Sequence, residues 1–383
     1  MKVALVYDRV NKFGGAERVL LALHKVWPDA PLYTAVYDPL GAAWARQFRV
    51  IESPLGAVVP AARRHHELFP WATPLAFEAF DFSGFDCVIS VTSAEAKSII
   101  TKPETLHICY CLTPTRYLWS GALLYRTRPG LGIVSHVSSI ALKIITPTLR
   151  SWDLISATRP DAYVAISDHV ANRIKDYYNR SVDHVVYPPV DTKLFRPGEP
   201  HANIEKRQFY LLVSRLVSYK RIDVVVDAFT ILGYRLVVVG TGHEKSYLRR
   251  SAGPSITFID ELTEGELALY YRSCRSLVFA GDEDFGLAAA EAQACGAPVI
   301  AYRSSGISEI VRDGKTGVLF DTQSPESVIE AVRRFERMHI RRRACVQNAQ
   351  RFAEASFSTQ MRNFVEQTLA RKQRYGVYYN NFL

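Results

Sequence analysis

Ser276–Tyr302 reads SLVFAGDEDFGLAAAEAQACGAPVIAY. Its first five residues, SLVFA, are a short, mostly apolar run, as expected of a buried strand. The polar loop Gly281–Asp284 leads into an alanine-rich helix from about Gly286 to Cys295. Gly296 ends that helix and Pro298 opens a second strand, PVIAY. Strand, loop, helix and strand in this order make a parallel crossover unit, which sets the class as α/β. A helix N-terminus at the end of a parallel strand presents unpaired N–H groups, so amides near Phe285, Gly286 and Leu287 are placed to receive a diphosphate. Glu291, farther along the helix, suits both hydroxyls of a ribose, and Glu283 in the loop suits the sugar attached to the diphosphate. The alternative is an ordinary buried strand-helix-strand with solvated acids.

The same alternation extends in both directions. Toward the N-terminus the apolar runs KVALVYD, DCVISV, HICYCL and AYVAIS alternate with helical segments such as GAERVLLALHKVW. Around the opening stretch lie QFYLLVSRL, RLVVVG, SITFID and GVLF. Between the two series, YPPVDTKLFRPGEPHANIEKR is rich in proline and charge and has no apolar period. The expected organisation is a Rossmann-like domain over residues 1–190, a hinge over 191–207 and a second Rossmann-like domain over 208–365. The basic, aromatic segment 366–383 is expected either to cross back to the first domain or to form a tail.

Composition agrees with two packed domains. The chain has 383 residues, 48% of them hydrophobic, enough for two substantial cores. Residues 131–149, the nearest approach to a membrane span, are interrupted by His136, Lys143 and Pro147. MKVALVYD reads as a first strand rather than a signal peptide, so a cytoplasmic location is expected. The six cysteines lack C-x-x-C spacing and read as reduced core residues. A net charge of +9 asks for an anionic partner. Nucleic acid is not expected, because no recognition motif accompanies the charge. Arg63-Arg64-His65-His66 precedes LFPWATPLAF, and Arg126 and Arg128 precede LGIVSHVSSIALKII. Basic residues beside apolar faces suit an anionic membrane surface, although a solvated basic face beside core helices gives the same pattern.

The run from Glu283 to Ile300, followed by Ser304–Phe320 (SSGISEIVRDGKTGVLF), closely resembles the family-4 retaining glycosyltransferases of the GT-B fold. Their signature is two glutamates separated by seven residues, as Glu283 and Glu291 are. The resemblance covers roughly residues 1 to 365. With PTRYLW, YPPVD and SRLVSYKRID, it looks most like the bacterial mannosyltransferases that build O-antigens and exopolysaccharides. It implies two Rossmann-like domains facing across a cleft, with a nucleotide-sugar donor held chiefly by the second.

Residue by residue, the resemblance places Arg215 and Lys220 against the donor diphosphate, where they offset the charge of the departing nucleotide. It places Ile259, Asp260 and Leu262 near the base, and Gly14-Gly15 where a backbone approaches phosphate or sugar closely. Arg116 and Tyr117 would face the acceptor. A polyprenyl-diphosphate-linked or glycan acceptor is implied, with docking at the inner face of the plasma membrane. A GDP-linked donor is favoured over a UDP-linked one. The donor is a substrate, and no cofactor or metal is expected. Asp282-Glu283-Asp284 contains a D-x-D triplet, but Arg215 and Lys220 already supply the compensating charge.

One departure stands out. Where relatives read H-T-P-x-R-Y, with a histidine that reaches the donor sugar near its 6-hydroxyl, this chain has Cys111-Leu112-Thr113-Pro114. Val91-Thr92-Ser93-Ala94 occupies a second place where relatives often carry histidine. Either the donor lacks that hydroxyl, as a GDP-linked rhamnose, perosamine or a pentose does, or this is a differently arranged mannosyltransferase. Two readings of another kind stay open: a non-catalytic GT-B scaffold that binds nucleotide sugar, and a sugar-nucleotide epimerase.

Overall fold

The computed structural model describes residues 1–58, 71–121, 135–199 and 208–380. They form two compact units, Met1–Tyr187 with Phe357–Leu383, and Pro188–Ser356.

The first unit is built on β1 (Val3–Tyr7), β2 (Leu32–Thr34), β3 (Val50–Glu52), β4 (Cys87–Thr92), β5 (Leu106–Cys111), β6 (Ala162–Ala165) and β7 (His184–Val185). They form one sheet in the order β3-β2-β1-β4-β5-β6-β7, every pair parallel. β1, β4, β5 and β6 are buried along their whole length, so they read as continuous apolar runs instead of an alternation. β2, β3 and β7 escaped the sequence reading because two or three residues are too few for a period. The accompanying helices are α1 (Gly15–Val26), α2 (Pro54–Val58), α3 (Ala72–Glu78), α4 (Ser135–Ala157) and α5 (Asp168–Tyr178). Val19, Leu20 and Leu23 form the buried stripe of α1.

The second unit contains β8 (Tyr210–Val213), β9 (Leu236–Val239), β10 (Ile256–Ile259), β11 (Leu277–Phe279), β12 (Val299–Tyr302) and β13 (Gly317–Phe320). Their order is β10-β9-β8-β11-β12-β13, again all parallel. Its helices are α6 (Ile222–Leu232), α7 (Lys245–Ser251), α8 (Glu264–Ser273), α9 (Leu287–Ala294), α10 (Pro325–Glu336) and α11 (Arg342–Ala349). Their ends follow local chemistry. Thr263 and Glu266 form a reciprocal capping box on α8, and Gly286, at φ 94°, opens α9 in the left-handed region. One face of the sheet packs Leu212, Val238 and Ile300 against Val225 and Phe229 of α6 and Val328 and Val332 of α10.

Both units are therefore Rossmann-like. In each, the winding direction reverses once, between β1 and β4 in the first sheet and between β8 and β11 in the second. Ligands of such sheets bind outside the strand ends at these reversals.

The last helix, α12 (Glu354–Asn380), belongs to the first unit from Phe357 onward. Phe357, Met361 and Val365, four residues apart, are buried, and the Phe357 ring lies 5.8 Å from that of Tyr110. Lys372 Nζ bonds Asp161 at 2.6 Å and the Thr105 carbonyl at 2.9 Å. Residues 357–365 thus group with the first unit, and residues 188–199 with the second. There Val190 pairs with Ala353 and Arg272 donates to the Arg196 carbonyl. Residues 200–207 of the expected hinge lie outside the described residues, as do Arg63-Arg64-His65-His66 and Arg126–Arg128. All six cysteines are buried free thiols. Among the described residues, no helix is long and apolar enough to cross a membrane.

Candidate functional site

Four loops leave the carboxyl ends of β8, β9, β11 and β12 in the second unit, and glycines let their backbones touch. A Cβ on Gly240 would stand 1.9 Å from the Ser214 carbonyl oxygen, and one on Gly281 2.7 Å from that of Lys220. A Cβ on Gly306 would stand 2.2 Å from the Asp284 carbonyl oxygen. These distances exclude any larger residue without a shift of backbone. The Gly306 amide donates to the Glu283 carbonyl at 2.7 Å. The β8, β11 and β12 loops are therefore locked together at the reversal point of the sheet.

This locking brings Lys220 and Glu283 into an ion pair, each side chain 14% exposed. Arg215 is exposed and donates through Nη2 to the Tyr219 hydroxyl at 2.8 Å. Lys220 Nζ lies 5.1 Å from the centroid of the same ring. Tyr219 thus contacts both cations named from the sequence. It went unnoticed there because an aromatic after a strand carries no signal of its own. The close contacts of Gly281 and Gly306 leave no local trace either, since Lys220 and Asp284 are distant in sequence.

Glu291 lies in the second turn of α9, buried, and accepts from the Tyr271 hydroxyl at 3.2 Å. Gly286 and Leu287 start that helix, and buried Phe285 packs on Phe352 with ring centroids 5.4 Å apart. A Cβ on Gly286 would meet Ile307 at 2.3 Å, so the β12 loop also closes on the helix start. Asp260 and Leu262 follow β10 at the edge of the sheet, two strands from β8. Asp260 pairs with Lys245 of α7.

In the first unit a second polar cluster forms around the corresponding reversal. Buried Asp8, just past β1, accepts from Thr92 Oγ1 at 2.7 Å and from the amides of Ser93 and Ala96, both at 2.8 Å. Gly14 precedes α1 with φ −176°, extended backbone open to any residue. The glycine there is therefore not demanded by conformation. Buried Glu17, in the first turn of α1, accepts from the Tyr7 hydroxyl at 2.6 Å.

The segment after β5 is fastened through every second residue. Thr115 Oγ1 bonds Asp153 at 2.7 Å, the Tyr117 hydroxyl bonds Glu95 at 2.7 Å, and Trp119 Nε1 bonds Asp153 at 2.7 Å. Lys97 neutralises Asp153 at 2.5 Å, both side chains fully buried, and Arg9 meets Glu95 at 2.7 Å. Burial pushes the Glu95 carboxyl above its ordinary range, against the pull of Arg9. Arg116, with its side chain between these anchors in sequence, is half-buried. Leu112 is also half-buried, its amide bonded to the Thr92 carbonyl at 2.8 Å. Tyr117 is therefore committed to an internal acid. Thr92, within the stretch Val91–Ala94 that the resemblance sets against a second polar position, is likewise committed to Asp8.

Residues 198–352 match the family model described as "Glycosyl transferases group 1". A D-inositol 3-phosphate glycosyltransferase of Thermobifida fusca is 32% identical over 202 residues, 45% of this chain and 46% of that protein. A GDP-mannose-dependent alpha-(1-6)-phosphatidylinositol monomannoside mannosyltransferase of Mycobacterium tuberculosis is 32% identical over 199 residues, 45% of this chain and 51% of that protein. These matches span about half the length of either relative. In overall fold, Anabaena HepE in complex with UDP-glucose superposes with a TM-score of 0.70 at 16% identity, covering 96% of this chain and all of HepE.

Proposed function

We propose, taking the group 1 glycosyltransferase match over residues 198–352 as premise, that this chain is a retaining glycosyltransferase that moves a sugar from a nucleotide-sugar donor to an acceptor. The observation that carries the reading is the meeting of Lys220 and Glu283 at the reversal of the second sheet, beside the start of α9 and with Glu291 farther along it. Lys220, Arg215 and the amides at Gly286 and Leu287 supply positive potential for a diphosphate. Glu283 accepts hydroxyls of the transferred sugar, and Glu291 those of the ribose. Leaving-group charge is offset by the two cations, so the reaction needs no metal on this reading. Catalysis then consists of positioning and electrostatics, with the leaving phosphate helping to deprotonate the acceptor on the face it departs from.

The donor in this proposal is GDP-linked, mannose or a 6-deoxyhexose such as rhamnose or perosamine. The M. tuberculosis relative's dependence on GDP-mannose supports the base, and the apolar Leu112 supports the missing hydroxyl. The acceptor is a lipid-linked or polysaccharide glycan of a bacterial surface. Trp71 and Leu75, at α3, and Ile144 and Ile155, on α4, are exposed. Such residues suit a peripheral site at the cytoplasmic membrane face.

A thermal-shift panel of GDP, UDP, GDP-mannose, GDP-rhamnose, GDP-perosamine and UDP-xylose, followed by product analysis with a polyprenyl-diphosphate-linked glycan, tests this. A donor that binds only the folded chain raises its melting temperature. Stabilisation by a GDP-sugar with sugar transfer to the glycan is the expected result. Stabilisation without transfer makes the protein a binding scaffold, an altered nucleotide sugar formed without acceptor makes it an epimerase, and no stabilisation removes the reading.

A further inference from the structure

Lys220, the cation assigned above to the donor diphosphate, is already held by a carboxylate. Neither backbone is free to drift apart. The Gly281 backbone runs so near the Lys220 carbonyl that a Cβ there would stand 2.7 Å from its oxygen, and the Gly306 amide holds the Glu283 carbonyl at 2.7 Å. Only the side chains can exchange partners. Both are 14% exposed, so separating them strands a charge in a poorly hydrated place unless each finds a new partner. Arg215, exposed and bonded to Tyr219, faces no such cost.

We propose that the Lys220–Glu283 ion pair sorts the intact nucleotide sugar from the spent nucleoside diphosphate, an inference that rests on reading this site as a nucleotide-sugar site. A bare diphosphate that takes Lys220 leaves Glu283 without its cation. The intact donor brings both replacements at once: phosphate oxygens for Lys220 and sugar hydroxyls that donate to Glu283. Once the sugar has been transferred, those hydroxyls leave with it. Glu283 then recovers Lys220, and the nucleoside diphosphate is weakened in its hold. The same glutamate that grips the sugar thereby promotes release of the product.

Calorimetric titration of the full chain with GDP, GDP-mannose, UDP and UDP-glucose, in wild type and in Glu283→Gln, tests this. The wild type is expected to bind one nucleotide sugar at least about tenfold more tightly than its bare nucleoside diphosphate. Glu283→Gln is expected to tighten the bare diphosphate by roughly tenfold, the scale of one close charge pair, while the intact donor gains nothing, so that the preference collapses. Glu283→Asp, whose shorter reach loosens the pair while keeping a carboxylate, should move the same way by less, and it serves if the glutamine variant fails to fold. An unchanged preference, or weaker diphosphate binding in both variants, overturns the sorting role and leaves the site reading intact. A wild type that binds none of the four ligands overturns both.

Discussion

Leu112 is the residue whose chemistry departs most from the resemblance and so gives the sharpest test of donor identity. It is half-buried directly after β5, and its neighbour Thr92 cannot substitute for a polar group, since its hydroxyl donates to Asp8 and accepts from the Ala94 amide at 3.0 Å. A sugar hydroxyl placed against leucine loses its water without gaining a partner, at a cost of about 1–3 kcal/mol. Leu112→His should therefore raise kcat/KM for a 6-hydroxylated donor relative to its 6-deoxy counterpart by about tenfold or more. A ratio that does not move means Leu112 does not face that hydroxyl. The departure itself is plain from the residues. That the neighbouring threonine is spent on Asp8 is not, because the two lie 84 residues apart.

At the scale of elements, the loop after β12 shapes the site as much as the acidic loop it supports. Gly306→Ala puts a Cβ 2.2 Å from the Asp284 carbonyl oxygen and 2.8 Å from Phe285 Cα, both backbone atoms that cannot turn aside. The acidic loop must shift, and a loss of about 1–3 kcal/mol in stability is expected, together with weaker nucleotide-sugar binding. Gly265→Ala, in α8, is the control. Nothing lies within 4 Å of its Cβ, and alanine suits a helix better than glycine, so this variant should melt at or above the wild-type temperature with unchanged ligand affinity. Equal behaviour of the two variants in a melting and titration series would mean that the loop contact is unimportant. In the sequence the segment SSGIS carries a resemblance and no mechanical signal. Its mechanical role depends on where β12 and β11 lie side by side, which no local pattern states.

At the scale of the whole molecule, acid sensitivity is expected from a histidine in the core of the first unit. His107 is buried in β5, with Nε2 2.9 Å from Ser90 Oγ. Burial, then the positive charges of Lys372 and Arg159, push its pKa down to about 3. The unfolded chain binds that proton near the ordinary value of 6.5, so the stabilising contribution is complete above that pH and is lost as pH falls toward 3. The loss approaches about 1.4 kcal/mol per pH unit. Denaturant unfolding of the first unit between pH 6.5 and 4 should show this slope, and His107→Asn should flatten it even if it lowers stability throughout. A slope unchanged in the variant would transfer the effect to the carboxylates. Lys372 reaches this region from α12, more than 260 residues downstream, in the part of that helix that groups with the first unit.

The class of fold was legible because parallel strands buried on both faces must be apolar nearly throughout and the turns between them must be polar or glycine. SLVFA, the loop GDEDFG and the helix after it carry that logic within one short stretch. Glu283 and Glu291 stand out by their place around the helix start and by the spacing the resemblance marks, and Arg215 and Lys220 are singled out by that resemblance in the segment SRLVSYKR. Contacts across the sheet had no local trace. The pairing of Lys220 with Glu283, the Tyr219 contact with both cations and the closure by Gly306 exist only because β8, β11 and β12 become neighbours. The fastening of Tyr117 to Glu95 and of Trp119 to Asp153 likewise depends on loops and a helix brought beside β5. Hydrophobic periodicity sets the elements one by one, whereas the charge each polar group meets is set by the order in which the strands assemble.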